Sequence, residues 1–218
     1  MREAIYTIPI HDVFGEKCGC PVCRLRKMLE ERCTDYILGA AMMEPDVRIE
    51  TNRWGFCPEH LHQLVGMKNR LSLALMLETR LDEIRTKHMP PKKLKKGESS
   101  PLATCFVCRE IDAAAEKLLS TALKQYFSDP EFRRLFSEQE YFCMKHYGTL
   151  CALAEEALPR KLAAEFVRDL TAMQERTLSA LRDDVHAFTK MFDYRNAAAS
   201  KEDARIRTAV ERAVDFLD

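Results

Sequence analysis

The sequence predicts an all-α protein: two tandem zinc-binding helical-hairpin repeats packed with a long C-terminal helix. Three observations carry that prediction. Seven Gly and nine Pro in 218 residues leave few turn residues, while Ala, Leu, Glu, Lys, Arg and Met abound, a composition that favours helix. A pattern of Cys and His occurs twice. Apolar residues spaced three and four apart run from Leu162 to Phe192, as on one buried face of a helix.

The duplication is direct. A shift of 85 residues lays Cys20, Cys23 and Arg24 on Cys105, Cys108 and Arg109, and Glu44-Pro45-Asp46-Val47-Arg48 on Asp129-Pro130-Glu131-Phe132-Arg133. A shift of 86 lays Phe56, Cys57, His60 and Leu64 on Phe142, Cys143, His146 and Leu150. The repeated unit is C-x-x-C, a helical stretch, acidic-Pro-acidic-x-Arg, then Phe-Cys-x-x-His. The expected organisation is a first repeat over 1–88, a basic flexible linker over 89–101, a second repeat over 102–158, and a long helix followed by a short terminal one over 159–218.

Taken in chain order, Pro21 and Pro58 suit the first helical position and predict helices opening at Cys20 and Cys57. The run from Leu71 to Leu77 is apolar almost all round, which predicts a helix buried on several sides. Lys92, Lys93, Lys95 and Lys96 sit among Pro, Gly and Ser without any apolar period, the composition of a solvated connector. Pro159 opens the long helix, whose face is Leu162, Phe166, Leu170, Met173, Thr177, Leu181, Val185, Phe188 and Phe192; at 1.5 Å per residue it reaches about 45 Å. After a break at 196–200, Ile206, Val210, Ala213 and Leu217 mark the apolar face of the last helix.

Charge and length narrow the function classes. Basic and acidic side chains number 34 each, and zero net charge argues against a protein that coats nucleic acid or an anionic membrane. The longest apolar stretch is far short of the roughly 20 residues that span a bilayer. The N-terminal stretch lacks the apolar core and cleavage site of a secretory signal, so a cytoplasmic location is expected. There, paired cysteines serve as metal ligands or redox groups more often than as structural disulfides.

A C-x-x-C pair at a helix N-terminus presents two thiolates to one ion, with backbone N–H groups and the helix dipole favouring the anionic sulfur. The ligands assigned to the first repeat are Cys20, Cys23, Cys57 and His60, and those of the second are Cys105, Cys108, Cys143 and His146. Three thiolates and an imidazole match a closed tetrahedral zinc site, giving two zinc ions per chain. Cys18, Cys33, Cys151 and His62 align with Ala103, Leu118, Val65 and Gly148 and fall outside the ligand set. An iron–sulfur cluster is the rival on ligand type, although such clusters usually take four thiolates.

The reading of function that follows is a metal-stabilised interaction or scaffold module, with a protein or a small molecule as its partner. Asp46, Arg48, Glu50, Asn52 and Trp54 are the candidate contact residues, since Arg and Trp are common anchors; the same residues equally suit helix capping and pairing. A thiol and zinc redox switch is the alternative. An enzymatic role has weaker support, because the chain has no Walker loop, H-E-x-x-H, Gly-rich dinucleotide turn or Gly-x-Ser-x-Gly elbow.

The segments CPVC, EPDVRIETNRWGFCPEH, NRLSLALMLETRLDEI, CFVC, YFCMKH and KMFDYRN resemble an uncharacterised family of bacterial proteins, common in Clostridia and relatives and known as a domain of unknown function. The resemblance spans Ile5 to Leu217 and implies a bacterial cytoplasmic protein with paired C-x-x-C and C-x-x-H elements. It implies no activity. After DYRN this chain carries AAASKEDA, where relatives often carry a Trp-Gly segment.

Overall fold

The computed structural model describes residues 2–90, 103–192 and 204–218, with no strand among them. The lysine cluster of the connector and the 196–200 break lie outside the described residues. The helices are α1 (Arg2–Gly15), α2 (Pro21–Leu38), α3 (Pro45–Trp54), α4 (Pro58–Gly66), α5 (Arg70–Glu83), α6 (Phe106–Ser128), α7 (Pro130–Ser137), α8 (Met144–Ala157), α9 (Arg160–Lys190), α10 (Ala204–Arg207) and α11 (Ala209–Leu217). Pro occupies the first position of α2, α3, α4 and α7, where its missing N–H has no intrahelical partner to lose. Two compact units result, one from Met1–Leu25 with Glu116–Asp218, the other from Arg26–Ala115. Their boundaries fall inside α2 and α6.

In the 26–115 unit, Ile37, Leu38, Leu64, Leu73, Met76, Phe106, Val107 and Ile111 form the core. Helix α5 corrects one expectation. It buries a single face, Ser72, Leu73, Met76 and Arg80, while Leu71 and Leu81 are exposed. Those four lie at i, i+1, i+4 and i+8, so the helical period rather than local apolarity decides what is covered. Buried Arg80 donates to the carbonyl of Asn52 near the C-terminus of α3. Gly55 follows with φ +61, and a Cβ there would meet the Arg80 guanidinium at 2.9 Å, so both backbone angle and space demand glycine. Arg48 donates to Leu75 O at 2.9 Å and to Thr79 Oγ1 at 3.0 Å. The Thr79 hydroxyl in turn donates to Asn52 Oδ1 at 2.9 Å, and α3 is thereby fixed along α5.

In the other unit the core is aromatic. Phe14, Phe132, Phe136, Phe142, Phe166 and Tyr126 surround one another, with Phe136 stacked on Phe142 at 4.9 Å between centroids and Tyr126 edge-on to Phe166 at 5.1 Å. Such tilted and offset pairs add about 0.5 to 1.5 kcal/mol each beyond burial. Helix α9 is 31 residues long, and Phe166, Leu170 and Leu181 of its expected face are buried, whereas Phe192, just past its end, is exposed. The terminal helix also departs from expectation. Ala209 and Phe216 are its buried residues, and Val210, Val214 and Leu217 are exposed. The buried stripe is rotated by about one residue, which aligns Phe216 with Tyr141, 5.8 Å away.

The Tyr126 hydroxyl donates to Asp169 Oδ2 at 3.0 Å, beneath the Arg133 guanidinium. Burial, then the bond to Asp169, push the Tyr126 hydroxyl up to about 12. A raised folded-state value stabilises the fold below the unfolded value of about 10 and loses that contribution as pH rises through the folded one. Melting temperature is therefore expected to fall between pH 10 and 12, and Tyr126→Phe to flatten that fall in part. Tyr141, also pushed up to about 12 by burial, and the raised Cys33 thiol add to the same fall; an unchanged slope in Tyr126→Phe would contradict this assignment.

Candidate metal centres

The first Cys of each motif stands at a helix start, and its carbonyl accepts the first intrahelical bond. Arg24 N donates to Cys20 O at 3.2 Å, Leu61 N to Cys57 O at 2.9 Å, Arg109 N to Cys105 O at 3.2 Å, and Tyr147 N to Cys143 O at 2.8 Å. The second donor, Cys23, His60, Cys108 or His146, lies three residues on, across the first turn. Each motif is thus one helical turn presenting two donors beside the positive end of a helix dipole.

The eight side chains form two clusters, within each of which all four ligand atoms lie within 4.8 Å of one another. One holds Cys20, Cys23, Cys143 and His146, and the other Cys57, His60, Cys105 and Cys108. The assignment of four ligands to each repeat is corrected here: every cluster takes its C-x-x-C from one repeat and its C-x-x-H from the other. Helix α2 carries the chain about 27 Å away from Cys20. Local packing then delivers Cys57 to the start of α6. Gly55 O accepts from Phe106 N at 2.8 Å and Trp54 O from Thr104 Oγ1 at 2.6 Å. In the other unit Gly19 N donates to Glu140 Oε2 at 2.8 Å, and Gln139 Nε2 to Phe14 O at 2.6 Å.

Both histidines turn Nδ1 toward the sulfurs. In the first cluster the Nδ1 of His146 lies 3.7 Å from Cys20 Sγ, 3.2 Å from Cys23 Sγ and 3.1 Å from Cys143 Sγ, with Cys23 and Cys143 3.7 Å apart. In the second, His60 Nδ1 lies 3.1 Å from Cys57, 3.3 Å from Cys105 and 3.4 Å from Cys108, with Cys57 and Cys108 3.9 Å apart. These sulfur pairs are far beyond the roughly 2.05 Å of a disulfide, and all nine cysteines are free. Either cluster could hold one metal ion.

Within each set, hydrogen bonds between neighbouring thiols move their proton affinities apart. Hydrogen bonding from Cys23 is the largest influence holding the Cys20 thiol down to about 4, against the opposing effect of burial. The same bond, then burial, drives Cys23 upward. Burial raises Cys143, and with the bond to Cys105 it pushes Cys108 up to about 12. A divalent ion would take the place of those protons.

Residues that hold the loops in register were not anticipated. Arg24 donates to Val13 O, Glu16 O, Cys18 O and Gly19 O and to Gln139 Oε1, gathering the turn before Cys20 against the segment before Cys143. Its repeat counterpart Arg109 lies 4.4 Å above the Trp54 ring and 3.3 Å from Glu50. Gln174 brackets the backbone of Phe142 through both ends of its amide. Glu30 Oε1 lies 2.9 Å from His60 Nε2.

Of the candidate contact residues, Arg48 and Asn52 are committed to α5, Trp54 Nε1 donates to Glu50 at 2.9 Å, and Asp46 is exposed. Cys18, Cys33 and Cys151 lie outside both clusters. Burial pushes the Cys33 thiol up to about 11.

The chain belongs to a family of unknown function, DUF6062, whose model matches residues 1–218. No curated protein and no solved structure gives a significant match.

The crossed ligand sets make a direct prediction. In zinc-supplemented Cys143→Ser protein, iodoacetamide should label Cys20 and Cys23 while Cys57, Cys105 and Cys108 stay protected, as read by peptide mass spectrometry. Labelling of Cys105 and Cys108 instead would restore the within-repeat pairing.

Proposed function

We propose that this chain is a zinc-stabilised helical interaction module, with one zinc ion closing each of its two units. The observation that carries this reading is the spacing of the donors. Four ligands around a tetrahedral ion, with Zn–S near 2.3 Å and Zn–N near 2.0 Å, leave S···S edges of about 3.8 Å and S···N edges of about 3.5 Å. Cys23 and Cys143 are 3.7 Å apart and Cys57 and Cys108 3.9 Å, the S···N distances run from 3.1 to 3.7 Å, and all four donor atoms of each cluster lie within 4.8 Å of one another. Donors that close around a single ion leave no room for several iron and sulfide ions, which speaks against an iron–sulfur cluster. A Cys₃His site has no open coordination position for substrate, so its work is structural. Elemental analysis of the purified chain should give two zinc ions per molecule, and their removal should abolish cooperative thermal unfolding. A metal-free chain that keeps its full melting transition would end this reading.

The partner surface assigned to the module is the outer edge of α3, where Asp46, Ile49 and Arg53 are exposed. An Asp46→Lys, Ile49→Asp protein should retain both zinc ions and its helicity yet lose the partner captured by the parent chain. Undiminished capture would remove α3 from the proposal.

A further inference from the structure

The two clusters share donor type, donor atoms and local backbone, yet their surroundings differ in two respects. The first is the group behind the imidazole. Glu30 lies on α2, two turns after Cys23, and its carboxylate oxygen is 2.9 Å from His60 Nε2. A carboxylate accepting from Nε2–H fixes the tautomer whose Nδ1 lone pair faces the sulfurs, and it makes that nitrogen a stronger donor. The repeat shift of 85 places Ala115 at the position of Glu30, and a methyl group can accept nothing. Among the described residues, His146 Nε2 has no hydrogen-bond partner.

The second difference is access. Cys23 is exposed, and it is the one exposed residue among the eight donors; Cys57 and Cys108 are half-buried. Loss of a metal ion begins when an incoming ligand displaces one donor, so the most open thiolate sets the entry point. Both differences act in the same direction.

We infer that the two centres are functionally unequal: the Cys20, Cys23, Cys143 and His146 centre is an exchangeable metal site entered at Cys23, whereas Glu30 locks the Cys57, His60, Cys105 and Cys108 centre. The inference rests on the zinc reading above and adds a division of labour to it. One ion maintains its unit permanently. The other can be given up to a competing thiol or chelator, leaving Cys23 open to modification. Glu30 is a positioning residue, acting on the metal through His60. Removal of a partner of this kind commonly lowers metal affinity about 10- to 100-fold, and the separation between the two release rates is expected in that range.

The test uses the full chain loaded with two zinc ions, the chelator 4-(2-pyridylazo)resorcinol and iodoacetamide. Zinc should leave in two phases of equal amplitude. Protein quenched after the first should carry label on Cys20, Cys23 and Cys143 but not on Cys57, Cys105 or Cys108. Glu30→Ala, which copies Ala115 of the other repeat, should bring the phases closer by speeding the slow one, with helical circular dichroism of the loaded protein unchanged; an unaltered slow phase would overturn the role of Glu30. Two bound ions that leave together in the parent chain, or first-phase label on Cys57, Cys105 and Cys108, would overturn the inference and leave the zinc reading intact. A purified chain holding no zinc would overturn both.

Discussion

The structure depends on one constraint: in each unit two helices must begin at the same point in space. Helices α2 and α8 begin at the first cluster, α4 and α6 at the second. A helix N-terminus is a demanding neighbour, because its leading N–H groups lack intrahelical partners and carry partial positive charge. Two of them side by side repel unless something negative lies between. Three sulfurs per cluster supply that when ionised, and a cation then offsets the mutual repulsion of the sulfurs. Neither the thiolates nor the two dipoles are stable alone, but together they compensate.

Holding such a junction to the few tenths of an ångström that tetrahedral ligation requires falls to polar side chains reaching backbone carbonyls. Arg24 collects carbonyls from the last turn of α1 and from the loop that follows it, and Gln174 holds both backbone groups of Phe142. Arg80 and Gly55 form a matched pair, since the guanidinium occupies the space that any larger residue at 55 would need. These contacts position Gly19 just before Cys20, Gly55 two residues before Cys57 and Phe142 just before Cys143, and the aromatic and aliphatic cores lie behind them. The candidate contact residues Arg48 and Asn52 belong to this bracing, which is why a surface of charged side chains read along the sequence contributes less to the exterior than its composition suggests.

Much of this was legible in residue types and spacing. Low Gly and Pro content, the prolines at helix starts and the long period from Leu162 onward gave the all-helical class, and the double C-x-x-C and C-x-x-H pattern marked the eight donors that cluster. The partition of those donors was not legible. A C-x-x-C motif has two C-x-x-H motifs to choose from, the spacings permit either, and the choice is made by contacts such as Phe106 N to Gly55 O that no periodicity announces. Helix faces were missed for a related reason: α5 and α11 contain apolar residues on more than one side, so the covered side is set by the neighbour rather than by the helix. Glu30 gave no signal because an exposed-looking Glu in a charged helix is ordinary until His60 is seen beside it.

The exchange of motifs between repeats has a consequence for how the fold holds together. Each repeat contains one complete pair of motifs, but neither contains a complete centre, because its C-x-x-C is closed by the other repeat's C-x-x-H. Ligand pairs in the first cluster are separated by 120 residues from Cys23 to Cys143, and in the second by 45 from His60 to Cys105. A single repeat on its own holds half the donors of each centre, and the crossed pairing seen here needs a second copy. Joining the copies in one chain converts that association into an intramolecular one, with the effective concentration of a tether in place of the concentration of the protein. The connector between the repeats needs only to be long enough for this, which is consistent with a segment rich in Lys, Pro and Ser that carries no apolar pattern of its own.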